Sequence, residues 1–214
     1  MDETSDSARS PEIRIGDVPD VIEWLAADLE THARHTLAER RPFTIAIPGG
    51  SVAASCFPRL ATLALDWSSI EFFWVDERAV PPDDPDSNYG MARALWLEPA
   101  GVPAECIHRM PGEAADLDRA AREYADELTR VAGAPPRLDY VLLGVGSDGH
   151  VASLFPGHPA LGEERPALAI AYAPKPPRRR LSLSLPILMN ARRVAIVAFG
   201  AAKAPVIREA LEDP

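Results

Sequence analysis

DYVLLGVGSDGHVASLFP, from Asp139 to Pro156, is the stretch that settles how this chain is built. Tyr140 to Leu143 is a short apolar run, the pattern of a strand buried on both faces, as in a parallel sheet. It stops at Gly144, Gly146 and Gly149, where backbone can turn sharply or approach a ligand closely. In an open parallel sheet, ligands bind beyond the carboxyl ends of the strands, so His150 stands where chemistry is normally done. The same glycines spell G-x-G-x-x-G, a dinucleotide fingerprint that works by opening a long helix at the pyrophosphate. Pro156, Gly157 and Pro159 leave little room for such a helix, which argues against a nicotinamide or flavin site.

Upstream, Phe43 to Ile47 is a first strand, broken by Pro48-Gly49-Gly50-Ser51 before a helical stretch through Leu60 and Leu63. The N–H groups of Gly49, Gly50 and Ser51 would face outward at a helix N-terminus, where the dipole favours an anion. Two readings stay open: a phosphate cradle, or an ordinary turn with Ser51 as the cap. A third is a serine nucleophile. Residues 49–53 differ from the G-x-S-x-G elbow only at Ala53, and Ser51, Asp148 and His150 follow the hydrolase order. That elbow usually follows several strands, whereas here it ends the first, and no HGGG-type stretch is present.

Ile70 to Val75 is a second buried strand ending in Asp76-Glu77-Arg78, followed by a loop containing Pro81, Pro82 and Pro85. A solvated turn would hold these charges, or the triplet aims one carboxylate and one guanidinium into a cleft. Ser87 then caps a helix from Asn88 through Leu97. Amphipathic helices are predicted over residues 18–39 and 113–131; His32 and His35, three apart on the first, read as solvated.

Downstream, Leu168 to Tyr172 is a short strand, and Leu181 to Leu185 alternates like a half-buried one. Lys175-Pro-Pro-Arg-Arg-Arg180 is the densest positive charge in an acidic protein, and Arg180, its direction fixed by the sheet, suits a phosphate. Val194 to Phe199 is a last core strand, followed by Lys203 and a helix through Val206, Ile207 and Leu211. A cation in a helix's first turn opposes the macrodipole by several tenths of a kcal/mol, roughly, unless an anion joins it, so Lys203 is a second phosphate-ligand candidate. Alternating strands and helices predict an α/β protein, a Rossmann-like, mainly parallel sheet with helices on both faces.

A length of 214 residues suits one core: a flexible acidic tail over 1–12 and a single α/β domain over 13–214. The net charge of -10 argues against nucleic acid as the main partner, but not against one small anion held in a local basic pocket. No apolar run approaches membrane-span length. Cys56 and Cys106 offer neither C-x-x-C spacing nor a disulfide framework, and the start of the chain lacks a secretory signal, so the cytoplasm is the expected home.

Taken together, PGGS at 48–51, DER at 76–78, SNYG at 87–90, LLGVGSDGHVASLFPGHPAL at 142–161, KPPRRRLSLSLP at 175–186 and GAAK at 200–203 resemble the 6-phosphogluconolactonase family. The resemblance implies hydrolysis of 6-phospho-D-glucono-1,5-lactone to 6-phosphogluconate in the oxidative pentose phosphate pathway, without metal or cofactor. By motif, it makes His150 the general base. Gly49, Gly50 and Ser51 would hold phosphate with Arg180 and Lys203, Arg78 would contact substrate, and Asp76 and Asp148 would orient substrate hydroxyls or His150. Backbone amides of the glycine turn would stabilise the oxyanion. The implied partner is a phosphorylated sugar lactone, the enzyme being a monomer or small homo-oligomer. Pro48, Val52-Ala53 and Val151 depart from the family pattern, and the domain is expected to be short at its C-terminal end. The runner-up readings are an enzyme of the glucosamine-6-phosphate deaminase type, which shares the glycine loop and D-G-H, and a non-catalytic sugar-phosphate sensor.

Overall fold

The computed structural model describes residues 11–212; the expected tail over 1–12 lies outside them except for Pro11 and Glu12. In chain order come α1 (Val18–Ala38), β1 (Phe43–Ile47), α2 (Gly50–Leu60), β2 (Ile70–Trp74), β3 (Asp76–Arg78), α3 (Asn88–Ala92), α4 (Glu98–Ala100) and α5 (Leu117–Ala132). Then follow β4 (Tyr140–Gly144), β5 (Ala167–Ile170), β6 (Arg180–Leu183), α6 (Leu185–Met189), β7 (Arg193–Val197) and α7 (Ala204–Glu212). Four strands form a parallel sheet in the order β2-β1-β4-β7, and three form an antiparallel sheet in the order β3-β6-β5.

The centre of the parallel sheet is β1 and β4, and their burial explains their mainly apolar runs: every residue of β1 and the first four of β4 are buried. The chain moves from β1 to β2 on one side and enters β4 on the other. A crevice therefore opens at the carboxyl ends of β1 and β4, the switch point where α/β sheets bind ligands. Val75 ties the two sheets together. Its N–H donates to Ile47 O in the parallel sheet (3.0 Å), and its carbonyl accepts from Leu183 N in the antiparallel one (2.8 Å).

Several elements differ from the sequence expectation, each for a packing reason. The helix expected over Asn88–Leu97 widens to a π turn at Arg93–Leu97, between α3 and α4. That turn carries Trp96 into the core, where its ring lies 5.0 Å from Phe57 and 5.3 Å from Phe72. Burying a side chain of this size is worth about 3 kcal/mol, enough to offset a locally wider helix. The helix expected from residue 113 begins at Leu117, because Asp116 caps it by accepting from Arg119 N at 2.9 Å. The β6 strand is buried along its whole length rather than on one face, since it lies between β3 and β5, and Leu185 opens α6 instead of extending it. β7 is an edge strand rather than a core one: only Val197 is fully buried and Ile196 is exposed.

At the amino end of β4, far along the strand from the glycine turn, the buried Asp139 accepts from Thr44 N and Thr44 Oγ1, both at 3.0 Å. It also accepts from Arg41 Nη1 at 2.7 Å and pairs with Arg192 Nε at 3.2 Å. Asp139→Ala strands the buried Thr44 donors and should cost about 2–3 kcal/mol of stability, read as a lower denaturant midpoint. An unchanged midpoint would show that this cluster does not anchor the strand.

Candidate active site

Beyond the carboxyl ends of β1, β4 and β7, and beside β3, lies a cavity of about 210 Å³. Gly49, Gly50, Ser51, Asp76, Arg78, His150, Arg180 and Lys203 all line it, and Asp148 stands behind His150. Residues far apart in sequence thus meet because four strand ends converge.

At the end of β1, α2 starts at Gly50 with Gly49 as its N-cap, and neither has a capping side chain in place. Ser51 is exposed and does not serve as the cap, so the ordinary-cap reading does not describe this turn. Gly49 is required by close approach: an added Cβ would collide with the Asn88 amide. Among the described residues no hydrogen bond joins Ser51 to His150, so the serine elbow is not assembled. Its free helix N-terminus faces the cavity instead.

Strand alternation sorts the Asp76-Glu77-Arg78 triplet. Asp76 and Arg78 line the cavity. Glu77 points away, buried, and accepts from the amides of Asn88 (2.8 Å), Tyr89 (2.7 Å) and Arg78 (2.7 Å), holding the start of α3. Burial pushes its carboxyl up, with those three amides opposing. Arg78 donates from Nη1 to Asp86 O at 2.8 Å, which ties it to the proline loop, while its buried Nε has no partner among the described residues.

Asp76 is itself buried, and donors converge on it from distant elements. Ser153 Oγ donates to its Oδ2 at 2.6 Å, Asn88 Nδ2 to its Oδ1 at 3.1 Å, and Arg180 Nη1 lies 3.8 Å from Oδ2. Arg180 is also buried. It donates to Pro177 O (2.8 Å), Lys175 O (3.3 Å), Pro176 O (3.3 Å) and Ser153 Oγ (3.2 Å), with Phe155 under its guanidinium at 5.6 Å. Burial pulls its pKa down, and the neighbouring Asp76 pulls the other way. Most of its donors are therefore spent on the protein, and a phosphate would meet only its remaining edge.

His150 sits on the turn after β4. Its Nδ1 lies 2.6 Å from Asp148 Oδ1, and its ring packs on Phe155 at 4.5 Å. Gly146 is the second glycine that geometry demands, because a Cβ there would strike both the His150 ring and the Asp148 carboxylate. Burial works against charge on Asp148, but hydrogen bonds from Lys175 (2.9 Å) and His150 outweigh it and bring the carboxyl to about 2. An ionised carboxylate only accepts, so Nδ1 carries the proton, and in the neutral ring the lone pair belongs to Nε2. The amides of Gly146 and Gly149 bond within the turn, to His150 O (2.8 Å) and Gly146 O (3.1 Å), and are not free to face a ligand. The glycine fingerprint opens no helix; Val151 and Leu154 bridge to each other instead.

Lys203 completes the wall from the 3-10 turn before α7, and among the described residues no carboxylate lies within ion-pair reach of it. The cavity thus holds three cations, Arg78, Arg180 and Lys203, against the single carboxylate of Asp76, in a protein of net charge -10. That local balance of charge is the opposite of the chain's as a whole and attracts anions. His32 and His35 stay apart from it, His32 Nδ1 lying 2.8 Å from Asp28 O and His35 lying 3.6 Å from Glu39. Sequence reasoning missed Asn88, Ser153 and Lys175 as members of the site. All three lie inside motifs it did single out, yet nothing local marks which side chain turns inward.

The chain matches, over residues 16–214, the family model described as glucosamine-6-phosphate isomerases/6-phosphogluconolactonase. It is 40% identical over 195 residues to the 6-phosphogluconolactonase of Synechocystis sp., covering 88% of this chain and 80% of that one. It is 36% identical over 214 residues to the probable chloroplastic 6-phosphogluconolactonase 3 of Oryza sativa subsp. indica, covering 91% of this chain and 64% of the rice protein. The solved 6-phosphogluconolactonase from Trypanosoma brucei superposes with a TM-score of 0.82 at 28% identity, covering 96% of this chain and 88% of that one. With its parallel sheet, its crevice at the strand ends and these likenesses, the chain belongs to the glucosamine-6-phosphate isomerase/6-phosphogluconolactonase family.

Proposed function

We propose that this protein hydrolyses 6-phospho-D-glucono-1,5-lactone to 6-phosphogluconate, with His150 as the general base. The observation that carries this reading is the pairing, in one cavity, of a cationic helix-terminus pocket with a histidine whose Nδ1 is bound to Asp148. Phosphate would rest on the amides at the start of α2, with Lys203 and Arg78 neutralising its charge and the remaining edge of Arg180 contributing. Asp76, held by Ser153 and Asn88, would accept from a sugar hydroxyl.

A water beside Nε2 gives that nitrogen a proton as its oxygen bonds to the lactone carbonyl carbon. The carbonyl electron pair moves onto oxygen, facing the positive wall of the cavity. Collapse of this tetrahedral species breaks the ring C–O bond, and the imidazolium returns its proton to the departing ring oxygen. Asp148 keeps the imidazole in the right tautomer and stabilises its charged form.

The same reading assigns the enzyme to a reducing compartment, the cytoplasm. Cys56 and Cys106 are free and buried, and burial pushes the Cys56 thiol up to about 11, so it stays unreactive. Among the described residues no helix is long and apolar enough to cross a membrane.

The deciding measurement is hydrolysis of fresh lactone in a coupled assay, with spontaneous opening subtracted. His150→Ala should lower kcat by about 10²- to 10⁴-fold; a wild-type rate would remove histidine from the mechanism. Ammonia release from glucosamine 6-phosphate without lactone hydrolysis would transfer the enzyme to the other branch of its family. Lys203→Met should raise KM by about 10- to 100-fold, the worth of a charged hydrogen bond, with a smaller effect on kcat; an unchanged KM would place the phosphate elsewhere.

A depressed carboxyl stabilises the fold above its ordinary value of 3.8, and that contribution disappears as pH falls toward about 2. The stability difference between wild type and Asp148→Asn, followed by denaturant titration, should shrink as pH falls from about 4 toward 2. A difference that grows on acidification would contradict the assigned pairing.

A further inference from the structure

Lys175 is a half-exposed cation that the mechanism above does not use. It does not line the cavity, so it is not placed to take the substrate's phosphate. Instead its Nζ lies 2.9 Å from Asp148 Oδ1, the same oxygen that meets His150 Nδ1 at 2.6 Å. The loop that carries it is folded around Arg180, whose buried guanidinium donates to the carbonyls of Lys175, Pro176 and Pro177 in turn. Arg180 thus acts as a template for that loop, and the loop delivers an ammonium to the back of the Asp148–His150 pair.

We propose that Lys175 is a positioning residue for the reaction: carried on the loop that Arg180 folds, it holds the Asp148 carboxylate and through it fixes the proton on His150 Nδ1. The proposal rests on the lactonase reading of the site.

Two consequences follow from charge alone. With Lys175 present, Asp148 is held in one place between two donors, and its negative field at the imidazole is partly cancelled. Without it, the carboxylate swings more freely, and an uncompensated negative charge favours the imidazolium. His150 would then stay protonated, and useless as a base, to higher pH. The other groups around the ring set the background and are the same in both proteins: Phe155 against its face, and Asp76, Arg78, Arg180 and Lys203 around the cavity.

The test is made on the resting, ¹⁵N-labelled enzyme, with the His150 ring nitrogens followed by NMR across pH, alongside the pH profile of kcat/KM. In Lys175→Met the His150 titration and the acid limb of kcat/KM should both move up by about half a pH unit, the size expected for one partly solvated charge. At pH values on the shifted limb, kcat should fall with KM little changed. Lys175→Arg, which keeps the charge, should restore all three. Lys175 is 45% exposed, so neither variant threatens the fold, and Lys175→Gln provides a second neutral variant with the same expected shift. An unmoved ring titration in both neutral variants overturns the proposal, as does a shift that arginine fails to reverse. Failure of the activity itself is separable: a wild-type enzyme that does not open the lactone, yet whose ring titration moves in Lys175→Met, loses the lactonase reading and retains the positioning role.

Discussion

A carboxylate taken out of water has to be surrounded by donors, and the burial of Asp76 imposes that condition on the whole site. Its partners come from three separate segments: Asn88 at the start of α3, Ser153 in the turn after His150, and Arg180 at the start of β6. Each partner is shared. Asn88 lies against Gly49 and so fixes how closely the turn before α2 can approach. Ser153 belongs to the turn that carries His150, and Arg180 shapes the loop behind Asp148. His150, the turn at Gly49–Ser51 and the loop from Lys175 to Arg180 are therefore placed relative to one another through a single buried group.

The electrostatic design is local rather than global. The chain as a whole is acidic, yet its cavity gathers Arg78, Arg180 and Lys203 around one helix N-terminus. Partial charges of aligned backbone dipoles and three full charges add in the same direction there. Because Arg180 spends its donors on the protein, its contribution is mainly a fixed field, whereas Lys203 and Arg78 retain donors for a ligand.

What could be read from the sequence followed what each residue's neighbours in the chain can determine. β1, β2 and β4 were legible because burial makes their runs mainly apolar, with Thr44 and Glu71 the polar exceptions, and the glycine turns were legible because they break the runs. The strand at Arg180–Leu183 misled in part, since the alternation of Leu181 to Leu185 put Ser182 on a solvent face, whereas its hydroxyl accepts from Ser153 N and donates to Leu183 O inside. β7 looked like core because its composition is apolar, and composition does not report an edge. At the site, the backbone glycines and His150 announced themselves by motif, but the bond between Asp76 and Ser153 spans 77 residues and leaves no trace in either neighbourhood. Lys175 was visible only as part of a basic run, and its reach to Asp148 depends on how Arg180 folds the intervening prolines.

The double tie at Val75 carries an implication for how this family can vary. Its amide is counted in one sheet and its carbonyl in the other, so the registers of both sheets are locked at a single residue. Side chains alternate along an extended chain, and the residues that follow are Asp76, Glu77 and Arg78. An insertion or deletion of one residue at this junction would exchange their faces, sending Glu77 into the cavity and turning Asp76 and Arg78 toward the packing side. A change of length by one residue at this junction therefore cannot keep the cavity's wall as it is.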